Sequence, residues 1–177
     1  LGDIAAKQQR NLDIARRQFS ERGDAKAAHD LARSLAYAEA PVAEVLAAVE
    51  DGLVLAAAGS DEHVGLLSLA ADFELQRGGH DAAAAAARQV LAIHPASDVA
   101  AAVLGKVSPV LGLDDEVLAL ARTLSEPNAG AAIPHNLALV EAAATAACLR
   151  RDDAVGAAEH AARVPLHTVD DATAVAV

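Results

Sequence analysis

At 177 residues and 54% apolar side chains, the chain has ample material for a core, which excludes wholesale disorder. Only 2% is aromatic (Phe19, Tyr37 and Phe73), so a core must come from Ala, Leu and Val; abundant alanine and few strand-forming runs predict an all-α protein. The net charge of −11 is uneven, with seven basic against five acidic side chains in residues 1–33 and −13 on the remainder, an acidic body that argues against binding nucleic acid.

The first predicted helix covers about Asp3 to Phe19. Ile4, Gln8, Leu12, Ala15 and Phe19 share one face, apolar except for Gln8. Lys7, Arg10 and Arg17 share another, bordered by Arg16 and with Ile14 among them. An isoleucine is unusual on a solvated charged face, so docking against an acidic partner or a missing upstream domain is expected here. The competing reading is that these cations pair with nearby carboxylates such as Asp13 and Glu21.

Gly23 ends this region and Asp24 is a plausible N-cap for a second helix, packed through Ala28, Leu31, Ala32, Leu35 and Ala38 and stopped by Pro41. A third helix is expected over Val42–Ala58, with Gly52 inside it, which implies a closely packed neighbour or a misplaced boundary. Gly59-Ser60 closes it and caps the next, whose first turn holds Asp61 and Glu62.

The clearest organisation lies between Leu66 and Leu124. Gly78 and Gly112 fall 34 residues apart, each between two helical patterns. A small residue stands seven before each (Ala71, Gly105) and another nine after (Ala87, Ala121), the mark of a helical-hairpin repeat. His80-Asp81 opens the second helix of the first unit and Pro95 follows its end; Ser97 or Asp98 caps the next. Pro109 should kink or end that helix near Ser108, and Asp114 or Asp115 caps its partner. A loop over 125–134, a helix over about His135–Leu149, a turn at 150–153 and a last helix to about Val164 complete the reading, with a tail over 165–177. Short connections make neighbours pack as hairpins, so one domain of stacked antiparallel hairpins is expected over 1–177. Within it, 1–60 hold degenerate hairpins, 61–126 two clear repeats and 134–164 the final hairpin.

Little chemistry is encoded. Cys148, the only cysteine, lies in an apolar helical run and reads as a small core residue; a lone thiol fits a reducing compartment, and a cytoplasmic location is expected. No apolar run approaches the roughly 20 residues that span a bilayer, and no membrane partner is expected. The seven histidines are scattered, and no metal, cofactor or phosphate-binding pattern emerges. Asp114-Asp115-Glu116 and Asp152-Asp153 begin helices, where capping explains them. The chain begins at Leu1 and contains no Met, so a fragment of a longer polypeptide is expected.

Counted from the turn glycines, Ser68, Asp72 and Gln76 form a polar stripe on the first helix of one unit. The equivalent line includes Lys106 in the next and Glu141 with Thr145 in the last. These residues, with Lys7, Arg10 and Arg17, are the candidate partner-binding set. The bland alternative is the solvated face every amphipathic helix must have.

Ala71, Leu104-Gly105, the turn residues Gly78 and Gly112, Ala83, Ala87, Ala121, and Leu91 with Pro95 resemble the tetratricopeptide repeat family. The resemblance is good over about 64–126, looser over 134–164 and weak over 1–60, and large aromatics usual in that family are missing. It implies a curved array whose inner groove, lined by the first helix of each unit, receives a partner segment. KQQRNLDIARRQF (7–19) resembles, more weakly, the region after the catalytic domain of some bacterial family 2 glycosyltransferases. The expected function is a non-catalytic helical-repeat module binding a protein or peptide; the alternative is an accessory region of such an enzyme.

Overall fold

The computed structural model describes residues 2–125 and 135–164. Nine helices and no strand occur among them: α1 (Gly2–Arg22), α2 (Ala25–Tyr37), α3 (Val42–Leu55), α4 (Asp61–Gln76), α5 (His80–Ile93), α6 (Asp98–Leu111), α7 (Asp114–Ser125), α8 (His135–Arg150) and α9 (Ala154–Ala161). Beyond Ser125, the expected loop and the tail lie outside the described residues.

The chain divides into two compact units, Leu1–Ala82 and Ala83–Val177, with the boundary inside α5. In the first, α1 packs on α2, α2 on α3 and α3 on α4, while α2 also touches α4 directly. Leu12, Ala32, Leu35, Val45, Ala48, Val49 and Leu66 form its core. In the second, α6 packs on α7, α7 on α8 and α8 on α9, and α6 also touches α8. Its core joins Val117, Leu118, Ala121 and Leu124 of α7 to Leu137, Val140, Ala144 and Ala147 of α8.

One turn motif recurs. Gly78 and Gly112 adopt left-handed φ of 80° and 67°. After each, an amide reaches back five residues: Gly79 N–H donates to Glu74 O at 2.8 Å, Leu113 N–H to Ser108 O at 3.2 Å. The same motif closes α2 and α8 without glycine. Glu39 (φ 54°) precedes an Ala40 N–H donated to Leu35 O at 3.0 Å. Asp152 (φ 58°) precedes an Asp153 N–H donated to Cys148 O at 3.0 Å. Four helix-to-helix turns, at 39, 78, 112 and 152, are therefore built alike. Counted from Glu39, Ala32 stands seven before and Ala48 nine after, and both are buried, as are Ala71, Ala87 and Ala121.

Small residues set the close crossings. A Cβ on Gly52 of α3 would lie 2.8 Å from Leu66 Cδ1 and 3.2 Å from Ala28 Cβ, so the interior glycine reflects close packing. A Cβ on Gly105 of α6 would lie 3.2 Å from Ala143 Cβ of α8.

Three expectations need correction. Pro109 does not end α6, which continues to Leu111. The carbonyl that its missing amide would have served is Gly105 O, which instead accepts from Ser108 Oγ at 2.9 Å. Ile4 is 63% exposed rather than part of the buried face of α1. That helix has 21 residues against 13 in α2, so its first turn overhangs. Finally, α3 ends at Leu55, where Ala56 turns extended, rather than at Ala58.

Candidate functional site

The turn motif supplies a register for the first helix of each hairpin. Ser68, Asp72 and Gln76 stand ten, six and two before the left-handed residue at 78. The same three positions before 39 are His29, Arg33 and Tyr37. Direct contact between α2 and α4 sets these stripes side by side. Between them lies a groove of about 320 Å³, lined by His29, Arg33, Tyr37, Gly65, Ser68 and Asp72, with Ala36 and Leu69. Its α2 side was missed at the sequence level because Glu39, not a glycine, marks the turn.

Each wall has distinct chemistry. A Cβ on Gly65 would lie 2.5 Å from His29 Nε2, so the imidazole rests against bare backbone of α4. Burial, and then the Arg33 charge, hold the His29 pKa below its usual value and favour the neutral ring. The Arg33 guanidinium lies 5.9 Å from the Tyr37 ring centroid, a cation–π stack on the groove rim. Tyr37 is 63% exposed in a chain with only three aromatic residues. Opposite stand the exposed Asp72 and the half-buried Ser68, whose hydroxyl donates to Val64 O at 2.9 Å. Gln76 is exposed one turn beyond the groove lining.

The other candidates separate. Lys106 is exposed on α6, in the second unit. Glu141 is fully buried on α8. Counted from Asp152 it stands eleven before the turn, the line of Ala28, Leu67 and Ala101, all buried. The groove position of α8 is therefore Ala142, one residue along, and Glu141 faces inward. Its Oε2 lies 2.6 Å from His160 Nδ1 of α9 and its Oε1 3.7 Å from Arg163 Nη1. A carboxylate there fixes α9 on α8; it is no groove floor. The sequence signal was a lone glutamate in an otherwise apolar run, LALVEAAATAAC, followed by a histidine on the next helix.

The acidic helix starts divide their work. Asp153 caps α9, accepting from Gly156 N–H at 2.9 Å, while Asp152 makes the turn. Asp114 and Asp115 pair with Arg150 and Arg151, and the Arg150 hydrogen bond holds the Asp114 carboxyl below its usual range. Burial, with Asp153 nearby, raises the Cys148 thiol pKa, which disfavours the reactive thiolate. Lys7, Arg10 and Arg17 are all exposed on α1.

Among the described residues, no three His, Cys, Asp or Glu side chains are placed to hold a metal ion, and no helix is long and apolar enough to cross a membrane. No protein-family model matches the chain, and neither curated proteins nor solved structures yield a match.

Proposed function

We propose that the chain is a non-catalytic helical-repeat module that binds a protein segment, and that its hairpins continue as a solenoid of the tetratricopeptide kind. The observation that carries this is the α2–α4 groove. Two equivalent stripes of exposed or half-buried side chains flank it, in a protein whose buried positions are filled mainly by Ala, Leu and Val. The repeated left-handed turn and direct contact between successive first helices in each unit support the hairpin array. Tyrosine and arginine are enriched among binding hot spots, where each offers a large, amphipathic contact surface. Tyr37 and Arg33, stacked on the groove rim, have that composition.

The test compares proteins co-isolated from the source cells by wild type and by Tyr37→Ala/Asp72→Lys. Both positions are exposed, so the variant should keep its helicity and melting temperature. A partner retained by wild type and lost by the variant supports the groove. Identical recovery on both overturns it.

A further inference from the structure

A second surface lies on α1, and its cations line neither the α2–α4 groove nor the groove beside it. Lys7, Arg10, Ile14 and Arg17 follow one another at spacings of three, four and three. That is the alternation of three and four by which one helix presents a continuous seam to another. The seam lies on the side of α1 turned away from its buried residues Leu12 and Ala15. Asp13 accepts from the Gln9 amide at 3.0 Å, Asp24 pairs with Arg22 and Glu44 with Arg16. Among the described residues, Lys7, Arg10 and Arg17 form no ion pair.

The apolar member of the seam is also placed for contact. Ile14 is 45% exposed and stands at the edge of a groove of about 310 Å³ between α1 and α2, whose polar lining includes Asn11, Gln18, Asp30 and Ser34 together with Arg33 and Tyr37, which also line the α2–α4 groove. An incoming apolar side chain can meet Ile14 and enter this groove while flanking carboxylates meet the three cations.

We propose that this seam docks an acidic amphipathic helix of a partner protein, about three turns long, with carboxylates at 3–4 spacing around one apolar residue. The length follows from the span of Lys7 to Arg17, about 15 Å at 1.5 Å per residue. The charge pattern selects against the other occupants. A second copy of α1 would set cations against cations. A nucleic acid or an anionic membrane would bring an extended negative field towards a chain carrying −13 outside residues 1–33.

The test titrates the whole chain with a fluorescent 21-residue helical peptide bearing Glu at three seam positions and Leu opposite Ile14. A peptide of the same composition with the seam scrambled serves as control. Binding that weakens at least about tenfold for Lys7→Glu/Arg10→Glu/Arg17→Glu, and also for Ile14→Ser, is expected. Weakening with added salt and preference for the seam peptide over the scramble are also expected. Equal affinity for both peptides, or for wild type and the triple variant, overturns the proposal. Tighter association with duplex DNA or phosphatidylserine vesicles than with the peptide also overturns it. Lys7, Arg10 and Arg17 line neither groove, so a loss with the triple variant bears on the seam alone; Tyr37 lines both grooves, so the α2–α4 groove is judged by Asp72→Lys, which touches only that groove, and the two proposals fail separately.

Discussion

Substitutions at the hairpin turns should change stability in opposite directions at glycine and non-glycine positions. No atom outside the local turn lies within 4 Å of a Cβ built on Gly112, so backbone strain alone decides the outcome there. An L-residue at φ 67° costs about 1–2 kcal/mol relative to glycine, and a β-branched one sits at the upper end. Restricting the unfolded chain returns about 0.4–1 kcal/mol, so Gly112→Val should destabilise by about 1 kcal/mol or more. Glu39 already bears that strain at φ 54°, so Glu39→Gly should stabilise by up to about 1 kcal/mol. For a chain of this length 1 kcal/mol corresponds to about 2–4 °C in Tm. Helical circular dichroism followed through heat and urea measures both. Gly112→Val melting with wild type, or Glu39→Gly melting below it, would refute the shared left-handed turn.

Two further perturbations probe the interior. Glu141→Ala should destabilise by about 3 kcal/mol or more, because it breaks a buried pair with His160; the joint change Glu141→Met/His160→Leu should recover most of the loss in a urea titration. A single change as mild as an exposed substitution would mean Glu141 is not in the core. Stability should also fall in two steps on acidification. His29 has a folded pKa below its unfolded value of 6.5, so the unfolded chain takes the proton first and stability declines as pH falls through 6.5. Asp24, held low by the Ala27 amide and then Arg22, and Asp114, held low by Arg150, lose their contributions as pH falls below 3.8 towards their folded values. His29→Gln should remove the earlier step in melting curves between pH 7 and 5, and a step that persists unchanged would assign it elsewhere.

The helices were legible where their punctuation was chemical. Asp24 and Ser60 cap α2 and α4 through their side chains, and Gly78 and Gly112 take the left-handed turns their type favours. The register failed where the fold placed that turn on a residue type that does not announce it. With Glu39 unrecognised, the equivalence of His29, Arg33 and Tyr37 to Ser68, Asp72 and Gln76 was hidden. With Asp152 unrecognised, Glu141 was set one residue out and read as groove lining. Pro109 misled for a different reason: its cost depends on whether another donor reaches Gly105 O, and Ser108 Oγ does. The exposure of Ile4 depends on the shorter length of its partner helix, which α1 does not encode.

The most direct test of the binding-module account is amide hydrogen exchange on the chain, free and in complex with a partner isolated through wild-type protein. The account predicts slowed exchange on binding along α2 and α4, around Arg33–Tyr37 and Ser68–Asp72, the helices flanking the groove. Unchanged exchange in both helices, with protection confined to other surfaces, would contradict it.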